Sequence, residues 1–468
     1  MGMPVTRRSS LKILLIVALL SLRGLAPTTC ASAAPVAERP NIIFILSDDH
    51  RWDFMSCAGH PYVRTPNLDR LAREGLHFTN AFVTTSLCSP SRASFLTGQY
   101  AHTHGVRNNL TPWRDENVTF LELLKQEGYD TAFIGKWHMP GRLPKLRGVD
   151  QFVTFTVQEG QGRYWSCPLI VDGVERPSRK PYITEELTDY ALAFIEKQRN
   201  RPFCLYLAHK AVHHEFSPPP DLANLYRDVK LNLPGGAVPW LTWTRGHIWA
   251  GTMGTLEGLV KDYSRVVVAM DREIGRVLAK LDELGIADDT LVVYAGDNGY
   301  FWGEHRLVDK RWAYEESIRV PFLARFPRMV PDPGRKAPQM VLNIDLAPTL
   351  LEVAGVPMPK SMEGQSFVPV LRSGRAPGRK AWLYEYFKDF PYNVPEIRAV
   401  RTERHAYMEY GGRRAPELYD VTEDPHQTRD LMNTPEGKRL LPVLKEMLEA
   451  LKRGEGAQQT QSVNRQGD

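Results

Sequence analysis

Four short apolar runs of the sequence are each followed directly by side chains that can bind a metal ion or transfer a proton. The runs cover residues 41–46, 131–134, 203–207 and 290–295. The segments behind them are, in the same order, Ser-Asp-Asp-His, Gly-Lys-Trp-His, Ala-His-Lys-Ala-Val-His-His and Gly-Asp-Asn-Gly. Sites in open α/β sheets form beyond the carboxyl ends of the strands. If the four runs are parallel strands, these reactive segments therefore meet in one place.

The acidic members of these segments indicate a hard cation. Asp48, Asp49, Asp297 and the amide of Asn298 offer oxygen ligands alone, which suits calcium or magnesium better than zinc. Zinc is the alternative, because histidine pairs occur at 102 and 104 and at 213 and 214, although no standard zinc spacing is matched. Each segment alone is more typical of a solvated turn or a structural histidine. The prediction depends on their coincidence.

A cysteine begins a further predicted helix. Residues 88–98 have the sequence Cys-Ser-Pro-Ser-Arg-Ala-Ser-Phe-Leu-Thr-Gly. Pro90 suits the first turn of a helix and Gly98 suits its end, so Cys88 lies beside backbone N–H groups that favour an anion. Such a cysteine is either a thiolate nucleophile or a buried structural residue.

The apolar runs alternate with amphipathic patterns that predict helices. One predicted helix begins at Thr65 and ends at Gly75, another begins at the capping box of Thr119 and Glu122, and a long one covers residues 263–285. Alternation of strands and helices predicts an α/β domain with a largely parallel sheet. These elements would position the reactive segments at one edge of that sheet.

A second, smaller unit is predicted near the carboxyl end of the chain. Residues 371–380 are rich in Gly, Pro, Arg and Ser, as a linker would be. Beyond them, antiparallel strands and a final helix are predicted at 381–387, 397–410, 417–421 and 435–451. We therefore predict a catalytic domain over residues 38–372 and an α+β subdomain over residues 381–452.

Both ends of the chain are predicted to lie outside these domains. Residues 1–33 resemble a signal peptide, with a basic start, an apolar run and small residues before the cleavage point. The run has ten residues, which as a helix span about 15 Å, half of what a membrane anchor needs. Arg7 and Arg8 resemble a twin-arginine signal, and a general secretory signal is the alternative. The polar residues 454–468 predict a disordered tail.

The composition is that of an ordinary globular protein. Of 468 residues, 43% are hydrophobic and 24% charged, which excludes a disordered, collagen-like or polytopic membrane protein. The net charge of +5 falls to about +1 without the four basic side chains of the signal peptide, so charge gives no argument for nucleic acid or an anionic membrane as partner.

The cysteine motif resembles that of a known family. Cys-x-Pro-Ser-Arg followed by Leu-Thr-Gly is similar to the signature of the formylglycine-dependent (type I) sulfatases of the alkaline phosphatase superfamily. Other segments that resemble family motifs cover residues 39–49, 135–138, 297–299, 303–310, 314–319, 345–349 and 417–425. The resemblance implies a sulfuric ester hydrolase with an alkaline phosphatase-like fold, in which helices flank a largely parallel mixed sheet.

The resemblance also implies a role for each reactive residue. Cys88 is oxidised to formylglycine, whose hydrate uses one hydroxyl to attack sulfur and the other to expel sulfate. The implied ligands of Ca²⁺, or alternatively Mg²⁺, are Asp48, Asp49, the modified Cys88, Asp297 and Asn298. The implied cationic groups around the sulfate are Arg92, Lys136 and Lys310.

Two histidines match the proton-transferring residues of the family. His138 takes a proton while sulfate is released, and His213 protonates the departing alcohol. Val212 stands where the family has proline, and His214 follows directly. We therefore expect His213, rather than His214, to point into the site.

A sulfated carbohydrate, including a glycosaminoglycan, is the predicted substrate. The turn at 210–216 and the insertion behind it resemble the glucosamine 6-sulfatase branch. The candidate substrate contacts are His102, His104, Asn108, Trp243 and His247. Tryptophans in a loop of an α/β protein are more often packing residues than sugar platforms.

Two other functions stay open at this point. One is a phosphonate or phosphodiester hydrolase on the same scaffold, and the other is a catalytically silent sugar-binding protein whose Cys88 is never oxidised. An active enzyme implies a formylglycine-generating enzyme as its maturation partner. Export implies the periplasm or the extracellular space, or a lysosomal or secreted destination in a eukaryote.

Overall fold

A mixed sheet and a smaller antiparallel sheet organise the chain. The computed structural model describes residues 1–2, 39–143, 146–231 and 255–455. The strands of the described residues are β1 (Asn41–Ser47), β2 (Leu76–Phe82), β3 (Asp130–Gly135), β4 (Gln151–Thr154), β5 (Leu169–Val171), β6 (Val174–Arg176), β7 (Phe203–Ala208), β8 (Thr290–Gly296), β9 (Phe301–Trp302), β10 (Val308–Asp309), β11 (Phe322–Arg325), β12 (Arg335–Leu342), β13 (Ala381–Tyr386), β14 (Ile397–Thr402), β15 (His405–Tyr410) and β16 (Glu417–Asp420). The helices are α1 (Pro66–Glu74), α2 (Cys88–Thr97), α3 (Ala101–His104), α4 (Phe120–Gln126), α5 (Ile183–Gln198), α6 (Leu256–Glu283), α7 (Glu315–Ile318), α8 (Leu346–Ala354), α9 (Val368–Arg372) and α10 (Pro435–Lys452).

The large sheet is mostly parallel. Its strand order in the described part of the chain is β12-β2-β11-β8-β1-β7-β3-β4-β5-β6. The five strands from β8 to β4 run parallel to one another. β11 is antiparallel to its neighbours β2 and β8. At one edge of the sheet, β5 is antiparallel to β4, and β6 is antiparallel to β5. The predicted largely parallel mixed sheet is confirmed.

Helices cover both faces of the central strand β1. Ile43 and Ile45 pack into the core formed with α1, α5 and α6. Ile42 and Phe44 pack into the opposite core formed with α2, α4 and α8. Because successive side chains of a strand point to opposite faces, a strand buried on both faces is apolar throughout. This burial explains the continuous apolar sequence of β1.

The register places the ends of the central strands side by side. Leu46 of β1 and Gly135 of β3 both pair with Ala208 of β7, and Ser47 pairs with Gly296 of β8. Gly135 has a φ of 121°, and a Cβ there would lie 1.8 Å from the Ala208 carbonyl oxygen. Only glycine therefore allows the two strand ends to approach so closely. The reactive segment behind each strand begins at this common edge.

Several predicted elements have different bounds in the structure. Residues 397–410, predicted as one strand, form a hairpin of β14 and β15. The hydroxyl of Thr402 accepts the N–H of His405 at 2.8 Å, so a side chain supports a turn that has no glycine. The long helix predicted from Tyr263 begins seven residues earlier, at Leu256, with Thr255 as its N-cap.

The small sheet packs against the large one. β13 to β16 form an antiparallel sheet, as predicted. Phe82 and Leu87 of the catalytic part share one buried cluster with Trp382 and Tyr384 of β13. The chain from Arg39 onward forms one compact unit. The boundary between residues 372 and 381 stays a prediction, and α9 ends just inside the predicted linker.

The predicted signal peptide and tail lie almost wholly outside the described residues. Residues 3–38 and 456–468 are not described. The signal peptide and the disordered tail therefore stay predictions. Among the described residues, no helix is both long and apolar enough to span a bilayer. The four cysteines after residue 33 are free thiols.

Candidate active site

Three distant segments converge beyond the carboxyl ends of β1 and β8. The Sγ atom of Cys88, at the start of α2, lies 3.6 Å from Oδ1 of Asp48. The N–H of Asp49 donates to Oδ1 of Asp297 at 3.0 Å, and the amide of Asn298 donates to Oδ1 of Asp49 at 2.7 Å. All five residues are buried. Asp48 therefore lies beside the predicted nucleophile, and hydrogen bonds link Asp49 to Asp297 and Asn298. We call Asp48, Asp49, Cys88, Asp297 and Asn298 the strand-end cluster.

Three buried cations neutralise this cluster. Arg92, one turn along α2 from Cys88, donates through Nε to Oδ2 of Asp297 at 2.9 Å. Lys136, directly after β3, contacts Asp48. Lys310 contacts Asp49, and its Nζ lies 3.0 Å from Sγ of Cys88. The three cations that the family resemblance implied are thus placed around the nucleophile.

The cluster has the donor atoms that a hard cation needs. Oδ2 of Asp49 and Oδ1 of Asn298 are buried and accept no hydrogen bond from the described residues. Ligand atoms of Asp48, Asp49, Cys88 and His213 all lie within 4.8 Å of one another. An unpartnered buried oxygen is costly unless a ligand satisfies it. The residues therefore fit an oxygen-bound divalent cation.

Burial and neighbouring charges shift the pKa values in opposite directions. Burial opposes ionisation of Asp48, but the charges of Lys136, Arg92 and Lys310 hold its pKa well below the usual range. Burial, reinforced by the charge of Asp48, raises the pKa of Asp297 to about 7. Burial raises the pKa of the Cys88 thiol to about 12 despite the nearby lysines. An unmodified Cys88 is thus a protonated thiol at neutral pH, which disfavours the thiolate nucleophile.

Both predicted proton-transfer histidines border the cluster. Nε2 of His213 lies 3.7 Å from Oδ2 of Asp49. Its carbonyl accepts a hydrogen bond from the hydroxyl of Tyr164 at 2.8 Å, which fixes the turn that carries it. The carbonyl of His138 accepts the Ser89 hydroxyl at 2.5 Å beside Cys88. Burial, then the charge of Lys136, lowers the pKa of both imidazoles well below normal.

His209 and His214 lie beside these histidines but differ in their surroundings. Both ring nitrogens of His209 are buried without a partner among the described residues, and burial lowers its pKa to about 4. The ring of half-buried His214 lies 5.2 Å from that of His213. Of the adjacent pair, His213 is the one whose ring nitrogen lies next to a carboxylate of the site, that of Asp49.

The predicted substrate contacts differ in their surroundings. His102 is exposed, and its Nδ1 is 2.9 Å from Oε2 of Glu385, whose hydrogen bond raises the pKa of this histidine. His104 is fully buried: Nδ1 accepts the N–H of Val106, so Nε2–H donates to Ser94. This geometry gives His104 a structural role, and we do not propose it as a substrate contact.

The remaining predicted substrate contacts are Asn108, Trp243 and His247. The amide of Asn108 donates to the carbonyl of Lys388 at 2.9 Å, and its oxygen accepts from the Leu110 N–H at 3.1 Å. This side chain therefore links its own loop to the segment that follows β13. Trp243 and His247 lie in residues 232–254, outside the described part of the chain.

The structure also adds residues that the sequence analysis missed. Oε1 of Gln161 accepts a hydrogen bond from Lys136 at 2.6 Å. Oδ1 of Asn109 accepts the N–H of Ser89 at 3.0 Å and so holds the first turn of α2. Both residues lie in loops away from the strand ends. Nothing in the local sequence of Gln161 distinguishes it from an ordinary loop residue, and the Asn-Leu-Thr motif that begins at Asn109 does not indicate a contact with α2.

Comparisons with known proteins agree with this site. A family model described as Sulfatase matches residues 40–356, and one described as N-sulphoglucosamine sulphohydrolase, C-terminal, matches residues 303–454. An N-acetylglucosamine-6-O-sulfatase of Bacteroides thetaiotaomicron is 31% identical, over 92% of this chain and 89% of the relative. An ulvan-active sulfatase of Formosa agariphila is 30% identical, over 86% of this chain and 79% of the relative.

A solved structure with a bound sugar is also similar. It is a complex of a protein with its substrate D-glucosamine-2-N,6-O-disulfate, and it is 29% identical with a TM-score of 0.83. The match covers 89% of this chain and 98% of that one. The likeness thus extends over the whole fold and not over the cysteine motif alone. With the family model matching well over half of its length, the chain belongs to the sulfatase family and is a sulfuric ester hydrolase.

Proposed function

We propose that this sulfatase removes sulfate from a sulfated carbohydrate through a formylglycine formed at Cys88 and a bound divalent cation. The observation that carries the proposal is the position of Cys88. Its Sγ lies 3.0 Å from Nζ of Lys310 and 3.6 Å from Oδ1 of Asp48, beside two unpartnered buried oxygens. A group at this position reaches both a cationic side chain and the proposed cation.

The proposed cation is held by the strand-end cluster. Asp48, Asp49, Asp297 and Asn298 supply oxygen ligands, which suit Ca²⁺ and, as the alternative, Mg²⁺. Such a cation polarises a sulfate oxygen and lowers the cost of deprotonating the attacking hydroxyl. Oxidation of Cys88 by a formylglycine-generating enzyme supplies that hydroxyl as a hydrated aldehyde. Arg92, Lys136 and Lys310 hold the sulfate oxygens in place.

The two histidines divide the proton transfers between them. His213 borders the cluster at Asp49 and donates a proton to the departing alcohol oxygen. Its imidazole is neutral without substrate because burial lowers its pKa, and an approaching anion favours its protonated form. His138 is next to Ser89 and accepts the proton that leaves when sulfate is expelled. This division assigns one histidine to each half of the reaction.

A sugar carrying a 6-sulfate is the proposed substrate. Both the Bacteroides relative and the solved complex concern glucosamine 6-sulfates, whereas the Formosa relative is described as active on ulvan. The two relatives have similar identities to this chain, but the Bacteroides relative is matched over 89% of its length and the Formosa relative over 79%. We therefore propose glucosamine 6-sulfate as the first substrate to test. In this proposal the enzyme reaches its substrate by export, directed by residues 1–33.

Sulfate release distinguishes this function from the phosphonate or phosphodiester alternative. Enzyme made in a host that contains a formylglycine-generating enzyme is expected to release inorganic sulfate from N-acetylglucosamine 6-sulfate. Its kcat/KM for an aryl sulfate is expected to exceed that for the matched phosphate diester and phosphonate. Cys88→Ala is the negative control, and Cys57→Ala is the matched control at a cysteine outside the site. A preference for the phosphonate or diester would contradict the proposal.

A further inference from the structure

Lys210 is a buried lysine beside the active site to which the proposed function gives no role. It follows β7 and His209, and only 1% of its surface is exposed. Its carbonyl accepts the N–H of His213 at 2.9 Å. Lys210 and the proposed proton donor therefore lie on the same tight turn.

The ammonium group of Lys210 has no anionic partner among the residues that the structure describes. Its Nζ lies 5.0 Å from the centre of the Tyr164 ring. The nearest carboxylates have other partners: Asp48 contacts Lys136, Asp49 contacts Lys310, and Glu215 accepts a hydrogen bond from Gln158. A cation–π contact offsets only part of the cost of removing an ammonium from water. The side chain is therefore kept buried at a cost in stability.

The buried charged groups of the active site include more cations than carboxylates. The cations are Arg92, Lys136, Lys210 and Lys310, and the carboxylates are Asp48, Asp49 and Asp297. Glu215, the other carboxylate that acts on Lys210, is exposed to solvent. Burial, then the charge of Lys136, lowers the pKa of Lys210 to about 8, so the ammonium form still predominates at pH 7. Any divalent cation bound to the carboxylates enlarges the positive excess. An anionic ligand would restore the balance.

Lys210 lies on the leaving-group side of the site. Lys136 and Lys310 contact the carboxylates beside Cys88. Nζ of Lys210 instead lies over the ring of Tyr164, whose hydroxyl donates to the carbonyl of His213. Since His213 is the proposed donor to the departing alcohol, a group bound at Lys210 belongs to that alcohol and not to the transferred sulfate.

We propose that Lys210 binds a second anionic group, a sulfate or a carboxylate, on the alcohol part of the sulfate ester. This inference rests on the proposed function, because the role of His213 defines the leaving-group side. The preferred substrate is then a dianion: one sulfate is removed, and the other negative group is held by Lys210. A neutral hydroxyl in place of this second anionic group is expected to bind poorly, because only a full negative charge compensates the positive charge of the buried ammonium.

Equilibrium binding tests this assignment without depending on turnover. Calorimetry on the calcium-loaded Cys88→Ala protein measures the affinity for three sugars that are not hydrolysed there. N-acetylglucosamine 6-sulfate carries one anionic group, and glucosamine 2-N,6-O-disulfate carries two. A disaccharide of glucuronate and N-acetylglucosamine 6-sulfate tests a carboxylate as the second group. At least one dianion is expected to bind about tenfold more tightly than the monoanion, which is about 1.4 kcal/mol.

Substitutions at Lys210 are expected to change this preference. In the same background, Lys210→Met and Lys210→Gln are expected to reduce the ratio of the two affinities to about twofold or less, and Lys210→Arg to retain most of it. Lys438→Met removes an exposed charge from α10 and is the matched control, with an unchanged ratio. Each ratio is measured within one protein, so a partly unfolded sample does not alter it.

Three results would overturn the inference. They are the absence of any preference for a dianion, a preference that both neutral variants retain, and an equal loss of affinity for all three sugars. The last result would assign Lys210 to the transferred sulfate. Failure of the proposed function has a separate signature, because it appears as a lack of sulfate release by the unsubstituted enzyme.

Discussion

Two groups of potential metal ligands among the described residues differ in the hydrogen-bond partners of their carboxylates. The first consists of three members of the strand-end cluster, Asp48, Asp49 and Cys88, and the neighbouring His213, whose ligand atoms lie within 4.8 Å of one another. The second, which we call the hairpin cluster, consists of His405, Asp420 and Glu436 and meets the same distance limit. Proximity of suitable side chains is therefore common to both regions and does not identify the functional one.

The partners of the carboxylates separate the two clusters. In the hairpin cluster, Oδ1 of Asp420 accepts the N–H groups of Thr422 and Glu423, and Oδ2 accepts Arg404 at 2.7 Å. In the strand-end cluster, Oδ2 of Asp49 has no hydrogen-bond partner among the described residues. A carboxylate whose oxygens are already satisfied gains little from a cation, whereas a buried unpartnered one gains much. We therefore expect only the strand-end cluster to bind a metal ion.

Paired substitutions of one aspartate in each cluster give the largest expected difference. Asp49→Asn is expected to lose the divalent cation and about 10³-fold in kcat, because the cation contributes several kcal/mol to catalysis. Asp420→Asn is expected to retain both. Elemental analysis of the purified proteins and sulfate release measure the two effects. Loss of the metal from Asp420→Asn, or its retention by Asp49→Asn, would contradict the assignment of metal binding to the strand-end cluster.

A substitution of His213, beside the strand-end cluster, separates proton transfer from metal binding. His213→Ala is expected to lower kcat for a sugar sulfate by about 10²-fold or more and for an activated aryl sulfate much less, since only a poor leaving group needs the proton. The metal content is expected to stay unchanged, and His214→Ala serves as the control. Equal losses on both substrates would remove His213 from the acid role. Loss of the metal would instead make His213 a ligand.

The smallest expected effect concerns stability at the hairpin cluster. Burial opposes ionisation of Asp420, but the hydrogen bonds of Arg404, Glu423 and Thr422 lower its pKa. The folded state therefore binds this proton more weakly than the unfolded state, so the stabilisation is present above about pH 4 and is lost as the pH falls through the lowered value. Asp420→Asn is expected to lower Tm by about 2 °C or less at pH 7. Thermal unfolding at pH 7 and pH 3 checks it: a difference that persists unchanged at the lower pH would exclude this ion pair as the cause.

The sequence predicted the parts of the site that depend on short stretches of chain. Strand β1 and the two aspartates behind it are contiguous, and so are β8 and the segment that contains Asp297. When neighbouring strands are parallel, their carboxyl ends lie at the same edge of the sheet. The residues directly after each strand are therefore brought together there. The same local reasoning identified Cys88, since Pro90 marks the first turn of α2 and Gly98 marks its end.

Features that depend on packing between distant segments were not predictable in this way. Gln161 reaches Lys136 from the loop behind β4, and Asn109 reaches α2 from a loop of its own. His104 was predicted as a substrate contact because of its place in the sequence, but its ring points inward to Ser94. The hairpin of β14 and β15 was missed because Thr402, and not a glycine, supports its turn.

The chemical state of residue 88 tests the central claim most directly. Mass spectrometry of the tryptic peptide that ends at Arg92, from enzyme purified from its native host, is the decisive measurement. In most of the protein, this peptide is expected to have the mass of a chain with an aldehyde at position 88. A peptide that carries only the unaltered thiol, in a preparation that still releases sulfate, would contradict it.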